Sequence, residues 1–183
     1  EQTLLVRDKV LMKAHMHKHG IRCAQSAEVA GLEDAVAFVK QHGYPVIIKP
    51  IAAAGAAGTW RADDAAGLIQ AMKESGASAQ RPVAIEEFIV GHEGFWDTLT
   101  VGGRVVFEQV SHYYPNVLEA MRHREISPYL VATNRVDSDG YNELKVFGRR
   151  VLTALGIDTS PTHMEWFYGP KGLFFSEIGA RPP

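Results

Sequence analysis

The stretch that decides the fold is THMEWFYGPKGLFFSEIGARPP, residues 162–183. It predicts two strands joined through Gly169-Pro170-Lys171-Gly172. Alternate side chains of a strand share a face. Glu165 therefore sides with His163 and Phe167, and Glu177 with Phe175, Gly179 and Arg181. A loop of Pro170, Lys171 and Gly172 sets Glu165 directly opposite Glu177, whereas a two-residue turn of Pro170 and Lys171 puts the pair out of register. Both closures are open at this stage. In the first, two carboxylates repel across antiparallel strands, and a cation between them turns that repulsion into a binding site. Hard divalent ions such as Mg²⁺ take oxygen ligands and are shared with phosphates. The hairpin thus suggests a Mg-nucleotide site, with Arg181 available to grip a phosphate or carboxylate. The competing reading is a surface hairpin with two unrelated acids. The Trp, Phe, Met and Leu of both strands speak against it, because they predict burial on at least one face, where charges need partners.

The whole chain has 183 residues, which fits one domain or two small lobes sharing a cleft. A hydrophobic content of 46% and a charged content of 22% are ordinary for a globular protein. The net charge of −2 gives no electrostatic support for a nucleic-acid or anionic-membrane partner. Cys23 is the one cysteine, so no intrachain disulfide forms and a reducing, cytoplasmic setting is expected. No apolar run approaches membrane-spanning length. The chain starts at Glu1 rather than Met and stops at Pro183, so a piece of a longer protein is expected.

Working outward, residues 4–19 predict a helix ending at Gly20, and 21–24 a short strand. Residues 33–42 predict a helix with Leu32, Val36 and Val39 as its stripe, and Val46–Lys49 a strand closed by Pro50. The small-residue segment 51–59 reads as a loop. Asp63 and Asp64 cap a helix over 65–75 carrying Leu68, Ile69 and Met72. Residues 83–90 predict a strand, and 95–101 with 104–112 a hairpin across Gly102-Gly103. Residues 113–137 resist a periodic reading, and 139–155 predict an amphipathic helix. The fold class is α+β, because antiparallel pairing dominates.

Lys49 ends a strand and is followed by IAAAGAAGT, in which Gly55 and Gly58 let backbone amides approach a ligand. This suits a flap over phosphates as well as it suits a plain alanine-rich loop. Glu86 and Glu87 lie on opposite faces of one apolar strand, and an adenine amine needs an acceptor of this kind. Glu93 follows a turn, a position that suits an acceptor of ribose hydroxyls but, taken alone, reads as a surface acid. Arg122, His123 and Arg124 read as a solvated basic turn, His15, His17 and His19 as a polar helix end, and Cys23 as a small buried residue.

Lys9 in RDKVLMK, Lys49 in YPVIIKP, the small-residue loop, Glu86-Glu87 in IEEFIVG, Glu93, Glu165 and the run Glu177 to Arg181 occur in one order. Taken together the chain resembles the ATP-grasp superfamily, which includes biotin carboxylase, the purine-pathway ligases and D-alanine–D-alanine ligase. The resemblance covers nearly the whole chain. It implies two α+β lobes gripping ATP: 1–20 a leading helix and linker, 21–85 the small lobe with a phosphate flap at 52–59, and 86–183 the larger lobe, cut short. It further implies Lys9 and Lys49 on the phosphates, Gly55 and Gly58 in the flap, and Glu86 as adenine acceptor helped by the backbone of Glu87 and Ile89. Glu93 becomes the ribose ligand, Glu165 and Glu177 the ligands of Mg²⁺ or Mn²⁺, and Arg181 with Lys49 the catalytic cations. The implied activity is an ATP-dependent carboxylate–amine ligase working through an acyl phosphate, on small-molecule carboxylate and amine substrates, with an oligomer compatible. A nucleotide-binding module without turnover, and a purine-type or biotin-carboxylase-type ligase, are the alternatives. Two departures stand out. Gly179 occupies the position where many members carry an Asn metal ligand, leaving space on that strand face, and the flap is alanine-rich rather than glycine-rich.

Overall fold

The terminal hairpin forms as β8 (Ser160–Gly169) and β9 (Gly172–Gly179). In the computed structural model, which describes residues 2–52, 58–123 and 125–182, its turn is the two-residue one. Gly169 pairs with Gly172, the latter at a φ of 85°. That closure alone would misalign the glutamates. A bulge corrects it: Trp166 pairs with Phe175 but Glu165 with Glu177, so Ser176 is the extra residue. The bulge also breaks simple alternation. Phe175 joins Leu173 and Ile178 in the core instead of siding with Glu177, and Glu177 turns to the opposite face beside a half-buried Gly179.

The hairpin is one edge of a five-stranded sheet in the order β7-β6-β5-β8-β9. The other members are β5 (His92–Val101), β6 (Arg104–Tyr114) and β7 (Tyr129–Ala132). β5 and β6 meet across Gly102-Gly103, both at positive φ, the geometry of a tight hairpin turn. A second sheet, of four strands in the order β1-β4-β2-β3, is built from β1 (Ser26–Val29), β2 (Val46–Pro50), β3 (Trp60–Ala62) and β4 (Val83–Glu87). Every neighbouring pair in both sheets is antiparallel. The fold is α+β, as the sequence predicts.

The helices are α1 (Gln2–Leu5), α2 (Lys9–Lys18), α3 (Leu32–His42), α4 (Ala65–Ser75), α5 (Val117–Arg122) and α6 (Asn142–Ala154), with a 3-10 turn at Asp139–Tyr141. The leading helix expected over 4–19 is therefore two. Asp8 interrupts it and caps α2, its carboxylate accepting from the amides of Val10 and Leu11. The strand expected at 21–24 is reduced to a single bridge between Cys23 and Phe175, and the strand from 83 stops at Glu87. On α3 the buried positions are Ala35 and Phe38, while Leu32 and Val36 are exposed. On α4, Leu68 and Met72 are buried and Ile69 is not. The segment 113–137 resolves into the end of β6, α5 and β7.

Two cores result. Met12 and Met16 of α2 and Phe147, Val151 and Leu152 of α6 pack with Trp96, Val110, Met164 and Trp166 of the larger sheet. α6 presses hard on that sheet: a Cβ on Gly148 would lie 2.3 Å from the Trp96 ring. Phe38, Leu68 and Met72 cover the smaller sheet over Val46, Ile48, Val83 and Ile85. The faces turned away from these helices bound the cleft described next.

Candidate functional site

A cleft of about 420 Å³ lies between the two sheets. β2 delivers Lys49 to it and β4 delivers Glu86, diagonal to each other on one face of the smaller sheet, where Glu86 pairs with Ile47 and Lys49 with Ala84. Lys49 Nζ lies 2.8 Å from Glu86 Oε2. A second lysine, Lys13 of α2, reaches the same oxygen at 2.6 Å. Lys13 and Glu86 are 2% and 4% exposed, so this pair is dry, while Lys49 opens to the cleft. Burial works to raise the Glu86 carboxyl, but the two ammonium groups outweigh it and hold its pKa down at about 2. Burial pushes Lys13 below its ordinary value against the pull of Glu86. Lys49, half-buried in the cleft wall, is pulled down by desolvation, yet Glu86, Glu177 and Glu165 carry it above its ordinary value. Among the described residues Glu86 Oε1 is buried and has no hydrogen-bond partner.

At the other end, Glu165 and Glu177 stand opposite each other on β8 and β9, both lining the cleft. Each has a cation on its far side. Lys9 Nζ of α2 is 3.3 Å from Glu177 Oε2, and His163 Nε2 is 3.6 Å from Glu165 Oε1. His163 Nδ1 is fixed at 2.7 Å by Asp97, its direct partner across β5 and β8. Burial disfavours the imidazolium, but Asp97 and Glu165 outweigh that and raise its pKa to about 9. Among the described residues no three His, Cys, Asp or Glu side chains gather around one point. The glutamate pair is therefore a two-carboxylate platform, which suits an ion that draws its other oxygens from phosphate and water.

Between these ends sits Glu93, buried on β5. Its Oε2 accepts from the amide of Val117 at 2.7 Å. Asn116 ties the same junction together, donating to Gly91 O at 2.7 Å and accepting from the Glu93 amide at 3.0 Å. Burial and the charge of Glu165 push the Glu93 carboxyl up to about 7. Glu87 and Ile89 line the cleft, and the Glu87 amide already donates to Gln25 O. Arg122 and His123 of α5 also reach the rim. Cys23 is buried, which raises its thiol to about 11, the condition of a packing residue.

Arg181 stands apart. It lines an adjoining cleft of about 820 Å³ that shares Lys9 and Glu177 with the first. Its side chain lies over Gly179, whose added Cβ would meet Arg181 Cγ at 3.3 Å, so the space expected at Gly179 is filled. Gly58, at a φ of 70°, packs beside Pro50. Gly55, most of the 52–59 flap and Arg124 lie outside the described residues. The sequence reading overlooked Lys13 and Asn116. Lys13 carried a signal, since it follows Lys9 by four residues and so shares its helix face. Asn116 carried none, because its role depends on how α5 meets β5.

Residues 8–94 match the profile of the ATP-binding domain of the carbamoyl-phosphate synthase L chain. An L-arginine-specific L-amino acid ligase of Bacillus subtilis is 28% identical over 193 residues, covering 99% of this chain and 44% of that protein. The chain has the ATP-grasp fold. The ATP-grasp fold recurs in the crystal structure of an L-amino acid ligase from Bacillus licheniformis, with a TM-score of 0.74 and 21% identity over 96% of this chain and 40% of that one. It recurs again in the biotin carboxylase domain dimer of the 2-oxoglutarate carboxylase of Hydrogenobacter thermophilus, in complex with MgADP, ADP and bicarbonate. There the TM-score is 0.69 and the identity 20%, over 98% of this chain and 40% of that one. The chain spans less than half the length of the curated relatives it matches.

Proposed function

We propose that this chain is the nucleotide-binding part of an ATP-dependent carboxylate–amine ligase, with Mg-ATP in the cleft between the sheets. The pairing of Glu165 with Glu177 in the cleft wall carries this reading. The unpartnered Glu86 Oε1 supports adenine at the opposite end, because the 6-amino group supplies the donor that this buried acceptor lacks. Glu87 and Ile89 would complete that end through their backbone. Glu93 keeps one oxygen on Val117 and has the other for a ribose hydroxyl. Lys49 and Lys9 would follow the phosphates, Lys9 nearest the terminal one because it already sits beside Glu177.

Glu165 and Glu177 would hold Mg²⁺, or Mn²⁺ in its place, with Lys9 displaced toward phosphate. The metal would neutralise phosphate charge and align the terminal phosphoryl group. A substrate carboxylate held in the adjoining cleft by Arg181 would attack the γ-phosphorus. ADP would leave, an acyl phosphate would form, and an amine would displace inorganic phosphate from it. The residues contribute position and charge rather than covalent chemistry. The L-amino acid ligase relative favours amino-acid or peptide substrates among the carboxylates. The unpaired, buried thiol of Cys23 is consistent with a reducing, cytoplasmic setting, and no described helix is long and apolar enough to cross a membrane.

The test is ATP binding titrated against Mg²⁺ in the wild type and in Glu165→Gln/Glu177→Gln, together with ADP release in the presence of a panel of amino acids. The double variant should lose the Mg²⁺ response. An unchanged response would remove the metal assignment, and no ADP release with any carboxylate would leave a binding module.

A further inference from the structure

Lys13 has no part in the roles assigned above, yet it is as deeply buried as any charge in the cleft wall, at 2% exposure. A buried ammonium needs a strong reason to stay charged. Here the reason is Glu86 Oε2, at 2.6 Å, an oxygen that Lys49 also engages at 2.8 Å. Two cations on one oxygen pin the carboxylate in a single rotation. The consequence falls on the other oxygen. Oε1 is left buried with no partner among the described residues, on a residue that lines the cleft together with Ala24, Ile47, Phe88 and Ile89. An apolar slot with one charged acceptor selects a flat group that carries a donor at its edge, and a bare buried acceptor discriminates strongly against groups that lack the donor.

We propose that Lys13 is a positioning residue for base selectivity: by sharing Glu86 Oε2 with Lys49 it keeps Oε1 turned to the cleft as acceptor for the 6-amino group of adenine. Without Lys13, Lys49 is left facing the whole carboxylate. Its three N–H donors spread over both oxygens, Glu86 rotates, and Oε1 is consumed within the protein. The selectivity is then lost even though Glu86 and Lys49 are both present. This inference rests on the placement of adenine against Glu86 proposed above.

The probe is a pair of nucleotides with identical triphosphates, ATP and purine riboside triphosphate, which lacks only the 6-amino group. Their affinities are measured by calorimetry at saturating Mg²⁺ for the wild type and Lys13→Met. Met replaces the ammonium with an apolar chain of similar length and leaves a one-to-one Lys49–Glu86 pair in the interior. A charge-assisted hydrogen bond predicts that the wild type prefers ATP by about ten- to a hundred-fold. In Lys13→Met the preference should fall to within about three-fold, because the same bond is no longer offered. Any general loss of stability or of phosphate binding lowers both affinities together and leaves their ratio alone. Lys13→Leu, which likewise offers no donor to Oε2, is the second variant, should Met not fold, and the same collapse is expected. A wild-type preference retained in the folded variant overturns the inference while leaving the adenine placement standing. Equal binding of both nucleotides by the wild type overturns the adenine placement and the inference with it, and no nucleotide binding at all overturns the proposed function.

Discussion

Replacing Asp97 with Asn removes the carboxylate that holds His163 Nδ1 at 2.7 Å. His163 is raised from its ordinary 6.5 to about 9, and its side chain is 11% exposed, so solvent screens the pair little. The native state then binds more protons than the unfolded chain at every pH between these two values. Stability must fall as pH rises through that window, by 2.303RT for each full proton. A gap of this size corresponds to roughly 3 kcal/mol, fully present below pH 6.5 and gone above pH 9. Neighbouring titrations fall mostly outside the window. His92 and His112 are lowered by burial, so they act below it, and Glu93 finishes near 7. The Cys23 thiol titrates at about 11. The assay is urea unfolding at intervals from pH 6 to 9.5 with EDTA present, alongside a histidine NMR titration. Asp97→Asn should flatten most of the slope and return His163 toward its ordinary range. A wild-type stability that is level from pH 7 to 9, or a slope that Asp97→Asn leaves intact, refutes the reasoning.

Three further outcomes are expected. Lys49→Ala should weaken ATP binding by roughly 1.5–3 kcal/mol, the contribution of a charge-assisted hydrogen bond, whereas Lys73→Ala on the outer α4 should change it little; equal, negligible losses in a binding titration would remove Lys49 from the site. Gly148→Ala should destabilise the fold by about 1–3 kcal/mol through overpacking, since its Cβ would meet the Trp96 ring at 2.3 Å, and an unchanged denaturation midpoint would contradict that contact. Arg181→Lys, assayed in the full-length protein, should keep ATP affinity and lose turnover by on the order of a hundred-fold, because Lys cannot copy the planar paired donors; full turnover would make Arg181 a structural residue.

The parts of this molecule that were legible from sequence are those decided by neighbours in the chain. The Gly102-Gly103 turn dictates its own hairpin, and Asp64 marks the start of α4 by capping it. The facing of Glu165 and Glu177 was tied in the sequence to the longer of two loops, both open there; the shorter one forms, and a bulge delivers the same pairing. A bulge adds a residue without any composition to announce it. The buried face of α3 was misjudged because Leu32 and Val36 are the more apolar residues, while the small Ala35 and the broad Phe38 fit the sheet. The Glu86 triad was invisible for a different reason. Its members come from α2, β2 and β4, and only the packing of α2 against both sheets makes two lysines converge on one carboxylate. Asn116 lies where the chain has no period at all.

The extra residue at Ser176 makes the last strand a parity device. Counting outward from the turn, Leu173 and Phe175 take odd places and Ile178 an even one, yet all three reach the same interior. Remove one residue between Phe175 and Ile178 and the count becomes uniform. Loss of Ser176 would therefore leave Glu177 opposite Glu165 and Ile178 opposite Met164, with Ile178 still in the interior. Loss of Phe174, by contrast, would bring Ser176 opposite Trp166 and turn Phe175 out of the core, because the bulge would be used up one place too early. Tolerance to deletion in β9 is therefore set by place: one residue can be lost at Ser176 without moving a carboxylate, and the strand on its turn side has no such spare residue.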